Sequence, residues 1–330
     1  MLEKAESPDS IGTDQALYQQ RFNFLGGGAS MFTLAHLSDI HIAPLPRPAL
    51  HELMSKRMFG YVNWQRRRFQ HQRGMLDRLV ADMVGHAPDH IALTGDLVNI
   101  ALPEEFRQAR RWLDSVGDPA SITVIPGNHD AYVPFWRAPG FHHWRPYMLA
   151  NESGAKFANG EARDFPFVRV FGEIALVCLS SARPTFPGMA SGWLGAAQMS
   201  RVGPMLDALG RDGYCRVVLI HHPPLPGMTS WERGLHDAGA FRDVLARHGA
   251  ELVLHGHNHR AMIARLEGQG GPIPIIGAPS ASVPSPEPGK RASYNIFSIE
   301  RGGNRWRIAM HSRVFDPSNG FEDVHQQLLP

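Results

Sequence analysis

The sequence predicts an α/β protein with four layers, two packed mixed β-sheets flanked by helices. Three observations carry that expectation. Short β-branched runs alternate with helical patterns between residues 32 and 124, the βαβ rhythm of a mostly parallel sheet. Three later strand-like runs, 273–276, 294–299 and 306–311, are joined only by Gly/Pro-rich turns, which suggests a second, antiparallel sheet. Five strand-like runs end directly in aspartate, asparagine or histidine, and in open α/β sheets sites form at the carboxyl ends of strands.

In chain order, residues 1–30 are polar and close on Gly26-Gly27-Gly28, the composition of a disordered arm; Met31 stands directly before the first strand. Strand 32–37 runs into Ser38-Asp39-Ile40-His41. On an extended chain, a carboxylate and an imidazole one residue apart point the same way. Residues 44–73 form an insertion opened by Pro44, Pro46 and Pro48. It carries Lys56, Arg57, Arg66, Arg67, Arg68 and Arg73 among Met58, Phe59, Tyr61, Trp64 and Phe69, with Glu52 as its single acid. This composition suits a basic, aromatic flap for phosphate or a lipid surface, with peripheral membrane contact through 51–73. A solvated helix over a sheet edge is the plain alternative.

The spacing of Met75, Leu76, Leu79, Val80 and Met83 predicts a helix over 74–86. Strand 90–94 leads into Gly95-Asp96-Leu97-Val98-Asn99, and a helix over 104–116 follows. Strand 121–124 is stopped by Pro126-Gly127 and releases Asn128-His129-Asp130, which alone would be an ordinary turn. Residues 132–165 are irregular and aromatic, a candidate pocket wall. Strand 174–179, a helix within 192–210, strand 215–220 with His221-His222-Pro223-Pro224, a helix over 241–248, and strand 251–254 with His255-Gly256-His257-Asn258-His259 complete the alternation. No linker divides the chain, so one domain is expected over 31–315, with 316–330 as a tail.

Composition narrows the function classes. Lys+Arg minus Asp+Glu is 33 − 31 = +2 over 330 residues, which gives no reason to expect specific nucleic-acid binding. The two cysteines, Cys178 and Cys215, both fall in strands and read as buried, reduced thiols. No membrane-spanning run or signal-peptide pattern is present in the sequence, so the expectation is cytoplasmic.

The strand ends supply seven candidate metal ligands: Asp39, His41, Asp96, Asn128, His221, His257 and His259. One ion rarely takes seven mixed N and O ligands; two ions sharing a carboxylate would use them, with Asp96 as the shared group because it has a strand end to itself. Imidazole with carboxylate suits Mn, Fe, Co or Zn. Two such ions can clamp a phosphate and activate a water.

These blocks, Asp39-Ile40-His41, Gly95-Asp96, Gly127-Asn128-His129-Asp130, His221-His222-Pro223 and Gly256-His257-Asn258-His259, resemble in order and content the calcineurin-like metallophosphoesterases. The resemblance covers roughly residues 31–300. It implies that Asp39, His41 and His259 bind one ion, that Asn128, His221 and His257 bind the other, and that Asp96 bridges. It further implies that a bridging hydroxide attacks phosphorus, that His129 binds a phosphate oxygen and protonates the leaving group, and that Asp130 orients His129. In the histidine doublet, His222-Pro223-Pro224 also fits the motif; His221 is taken as the ligand because it lies nearer the strand end. Asn99, His222, Arg66 and Arg67 are candidate substrate contacts. The second proline and Leu225-Pro226 resemble the cyclic-nucleotide phosphodiesterase branch, implying a substrate such as cAMP. The insertion at 44–73 suggests instead a lipid-linked phosphate or pyrophosphate, of UDP-diacylglucosamine type, at a membrane. A non-catalytic scaffold would be expected to lack a ligand, and none is missing. A homodimer is compatible with the sequence.

Overall fold

The computed structural model describes residues 31–134, 140–157 and 165–329. The expected arm, 1–30, and parts of the aromatic excursion, 135–139 and 158–164, lie outside the described residues. Two six-stranded sheets form the centre. The first runs in the order β12-β11-β10-β1-β2-β3, built from β1 (Phe32–Leu37), β2 (His90–Leu93), β3 (Ile122–Val124), β10 (Ser293–Gly302), β11 (Arg305–Asp316) and β12 (Gly320–Leu328). The second runs β4-β5-β6-β7-β9-β8, from β4 (Phe167–Phe171), β5 (Ile174–Cys178), β6 (Cys215–Leu219), β7 (Leu252–His255), β8 (Met262–Gly268) and β9 (Gly271–Gly277). Strands β1, β2 and β3 are parallel, as are β5, β6, β7 and β9; the outer strands are antiparallel.

Among the described residues, seven α-helices follow in chain order: α1 (Leu50–Leu53), α2 (Arg57–Arg67), α3 (Arg73–Gly85), α4 (Pro103–Val116), α5 (Glu152–Ala155), α6 (Ala196–Arg211) and α7 (Ala238–His248). Side chains alternate across a strand, and the core divides accordingly. On the second sheet, Leu176, Cys178, Val217, Leu219, Leu252 and Leu254 face the inner core shared with Leu34 and Phe297 of the first. Their neighbours Ala175, Val177, Val218 and Val253 pack outward on Val202, Leu206 and Leu209 of α6 and Phe241 and Leu245 of α7. The first sheet is covered by Leu76, Leu79 and Met83 of α3 and Phe106 and Leu113 of α4. Both cysteines are buried and unbridged.

Two expectations need correction. The strands at 273–276, 294–299 and 306–311 do not make a sheet of their own. The first becomes β9, parallel to β7, while the other two become β10 and β11 beside β1. Gly/Pro-rich turns cannot reveal this, because strand partners are chosen by buried faces far away in sequence. The stretch 316–330, expected as a tail, carries β12, which pairs with β11 along its length and interrupts the ladder with a bulge at Ser312/Arg313.

Candidate metal centre

The parallel strands of the first sheet deliver their ends to one place because pairing continues past them. Asp39 N–H donates to the Gly95 carbonyl at 3.0 Å and His41 N–H to the Asp96 carbonyl at 2.9 Å. From the second sheet, Gly256 N–H donates to the His221 carbonyl at 3.1 Å, and His257 N–H crosses to Asp39 Oδ2 at 2.9 Å. The motif glycines permit these approaches. A Cβ on Gly127 would overlap the Asp96 carboxylate, and one on Gly256 would overlap the Ser38 hydroxyl. Five expected ligands sit in the left-handed region: Asp39 (φ 53°), His41 (44°), Asp96 (55°), His257 (69°) and His259 (49°). That region costs a non-glycine residue about 1–2 kcal/mol. Strain of this kind concentrates where function fixes the backbone.

All seven expected ligands converge. Asp39 Oδ1 lies 3.1 Å from His259 Nε2, and His259 Nε2 lies 3.4 Å from His41 Nε2. His41 Nδ1 is 3.1 Å from the Val98 carbonyl and must donate to it, so its Nε2 lone pair faces the cluster. Ligand atoms of Asp39, His41, Asp96 and His259 all fall within 4.8 Å of one another. The second group gathers around the Asn128 amide: Oδ1 is 2.8 Å from His257 Nδ1 and 3.2 Å from His221 Nε2. Asp96 Oδ2 lies between the groups, 3.7 Å from His41 Nε2 and 3.4 Å from His221 Nε2.

The electrostatics point to a cation. Burial works to raise the Asp39 carboxyl, but the His259 imidazole beside it brings the carboxyl down to about 2. Burial likewise opposes charge on His221, yet the Asp96 and Asp39 carboxylates lift it to about 9. Two buried carboxylates thus draw positive charge into a water-poor site. His257 Nε2 is buried without a hydrogen-bond partner. Mixed nitrogen and oxygen donors facing one another at these distances fit two divalent ions: one at Asp39, His41 and His259, one at Asn128, His221 and His257, with Asp96 between.

His129 stands beside this centre, its ring 4.7 Å from that of His41 and stacked on Tyr132 at 5.7 Å. Its Nδ1 donates to the Asn99 carbonyl, leaving Nε2 for a ligand. Asp130 does not contact that ring. Its carboxylate accepts four backbone N–H groups, from Asp96 (2.9 Å), Gly127 (2.8 Å), Leu97 (2.9 Å) and Val98 (3.1 Å). Burial and the Asp96 charge push its carboxyl up to about 7, against those donors. The expected orienting role passes to Asn99, and Asp130 instead shapes the loop that carries Asp96. Asn99 in turn is held by buried Glu105, whose carboxylate accepts the N–H groups of Asn99 (2.6 Å), Ile100 (3.2 Å) and Leu102 (2.9 Å).

The other expected substrate contacts also change. The Asn99 side chain donates to the Ile42 carbonyl at 3.1 Å. His222 uses both ring nitrogens on the protein, Nδ1 with Ser181 Oγ at 2.7 Å and Nε2 with the Ala190 carbonyl at 3.1 Å, which leaves His221 as the motif histidine facing Asp96. Arg66 and Arg67 lie exposed in the last turn of α2. Within the insertion it is Arg57 that is buried, donating to the carbonyls of Ile100 and Ala101 and so pinning α2 over the loop that holds His129. Sequence reading missed His71, which packs on His41 at 4.4 Å between ring centroids. No strand end or motif marks it; the insertion brings it in.

The sequence profile of the calcineurin-like phosphoesterases matches residues 32–261. The chain belongs to that family. It is a metal-dependent phosphoric ester hydrolase, with a donor set suited to the two divalent ions of a dimetal phosphoesterase. This calcineurin-like phosphoesterase is 27% identical over 288 residues to a probable cyclic nucleotide phosphodiesterase of Synechococcus sp., covering 86% of this chain and 94% of that protein. It is 28% identical over 302 residues to the glycerophosphodiester phosphodiesterase GpdQ of Enterobacter lignolyticus, covering 88% and 95%. Its fold is that of a dimetal phosphatase from Danio rerio, with a TM-score of 0.55 at 15% identity over 90% of this chain and 98% of that one. Among the described residues no helix is long and apolar enough to cross a membrane.

Proposed function

We propose that this phosphoesterase hydrolyses a small phosphodiester, with a 3',5'-cyclic nucleotide such as cAMP as the first substrate to test. The supporting observation is the placement of His129. With Nδ1 committed to the Asn99 carbonyl, only Nε2 can meet a substrate, and it does so beside the metal ligands. An alkoxide is a poor leaving group, and a positioned imidazolium can protonate it as the P–O bond breaks. The two ions, when bound, supply an activated water and offset phosphoryl charge. His129 then holds a phosphoryl oxygen and delivers its Nε2 proton to the departing oxygen. Asp96, its Oδ1 accepting the His129 N–H at 2.8 Å, fixes the distance between that histidine and the metal ligands. The names of the relatives support diesters over monoesters, and they divide between cyclic nucleotides and glycerophosphodiesters. A panel of cAMP, a glycerophosphodiester and a UDP-linked lipid precursor, run on protein of measured metal content, tests this. Turnover of the lipid precursor alone would refute the small-diester reading. Failure to cleave bis(p-nitrophenyl) phosphate with any divalent ion would point to a scaffold.

A second reading has its own observation. The insertion exposes Leu50 (86%), Met54 (76%), Phe59 (63%) and Phe69 (75%) next to Arg66, Arg67 and Arg68. Apolar anchors with a basic rim suit an anionic lipid surface, and with it a lipid-linked phosphate substrate. Co-sedimentation with anionic vesicles should be lost when Arg66, Arg67 and Arg68 are replaced by alanine. Equal pelleting of both proteins would remove the membrane reading, and a concentration-dependent dimer in sedimentation would assign the face to a second copy of the chain.

A further inference from the structure

His71 closes the insertion, just before α3, and it is held from two sides. The Gln72 N–H donates to the Ser282 carbonyl at 2.9 Å, and His71 Nδ1 lies 2.7 Å from Ser282 Oγ. The direction of that bond follows from the far end of a chain. Ser280 Oγ lies 2.6 Å from the Asp39 carbonyl, which can only accept, so Ser280 donates there. Ser280 Oγ therefore accepts from Ser282 Oγ at 3.3 Å, and Ser282 Oγ accepts from His71 Nδ1–H. His71 is thereby the tautomer with a bare lone pair on Nε2. Its ring lies 4.4 Å from the His41 ring and 5.9 Å from the His259 ring. One ring nitrogen of each of the three histidines falls within 4.8 Å of the others.

We propose that His71 is an additional ligand to the ion held by Asp39, His41, Asp96 and His259, supplied by the insertion. This rests on the two-ion reading of the site. A ligand imidazole whose other nitrogen donates to a fixed oxygen is the arrangement that sets tautomer and aim at metal sites. The first ion then has three imidazoles, and the second has two with the Asn128 amide. The insertion, otherwise attached by Arg57 and Lys56, is tied to the first ion as well.

The test uses metal-depleted full-length protein titrated with Co(II), followed by a competing chelator and by visible absorption. Wild type should take up two ions. His71→Ala should also take up two, with affinity for the first reduced 10- to 100-fold and that ion's absorption bands changed in position and intensity. Ser282→Ala, which keeps the imidazole but removes its Nδ1 partner, should give a smaller loss in the same direction. Metal loading should protect the Arg66–Arg68 stretch from trypsin in wild type and not in His71→Ala. A His71→Ala isotherm and spectrum identical to wild type would overturn the proposal, even if KM rose, because His71 would then be meeting substrate. Uptake of fewer than two ions by wild type would instead overturn the two-ion reading.

Discussion

Replacing Asp130 by asparagine separates two accounts of that residue. If it aimed His129, the variant would lose rate and little else. In the structure its oxygens accept two N–H groups each, from Asp96 and Gly127 on Oδ2 and from Leu97 and Val98 on Oδ1. An asparagine keeps one oxygen and sets its NH2 against the other two donors. Two buried N–H groups lose their acceptor, at about 1–3 kcal/mol each, so a loss of roughly 2–6 kcal/mol is expected. At about 2 °C per kcal/mol for a large domain, that is a fall in Tm of roughly 4–12 °C. The measurement is thermal or urea unfolding of metal-free protein at pH 8, above the value to which burial raises the Asp130 carboxyl. Metal uptake should weaken too, because the distorted loop carries Asp96. A variant with wild-type Tm and metal content but a collapsed kcat would refute this reasoning and restore Asp130 as the orienting group.

His129→Ala should lower kcat about 10²- to 10⁴-fold while two ions remain bound; loss of an ion on elemental analysis would make His129 a ligand. Gly127→Ala forces a methyl into the Asp96 carboxylate, and overpacking of this kind costs about 1–3 kcal/mol. Unfolding together with metal titration should show both stability and affinity falling, and unchanged affinity would mean that the two loops are independent. Acid should destabilise the metal-free protein through His36 and His90, which burial brings down to about 3 from the ordinary histidine value of 6.5. Below pH 6.5 the unfolded chain takes up two protons at these histidines that the folded chain refuses, against one that the fold takes up at Asp130, held at about 7. Stability is therefore present above 6.5 and falls progressively from there toward pH 3. A urea midpoint that stays flat from pH 7 to pH 4.5 contradicts this.

The parallel strands and their terminal ligands were legible because each is a short buried run closed by glycine or proline, with polar residues that have no other use at that position. The edge strands β4, β8 and β12 were not. β4 carries Arg169 in mid-run, its guanidinium buried against the Pro119 and Ile122 carbonyls, and β12 has little apolar pattern to read. The seven candidate metal ligands followed from motif spacing, yet the partner of His129 did not. A backbone carbonyl has no sequence signature, so Asp130, the nearest side chain in the motif, took its place. His71 escaped for a related reason. Its aim is set by Ser282 and Ser280, more than two hundred residues away, and only tertiary structure makes them neighbours.

The centre is a seam. Asp39, His41, Asp96 and Asn128 come from one sheet, and His221, His257 and His259 from the other; His41 meets His259 across 218 residues of chain. A ribosome has finished four fifths of the polypeptide before the last of these histidines emerges. Strand β10, which flanks β1 and helps to fix Asp39, comes later still. A chain that ends before His221 therefore lacks every candidate ligand that the second sheet supplies.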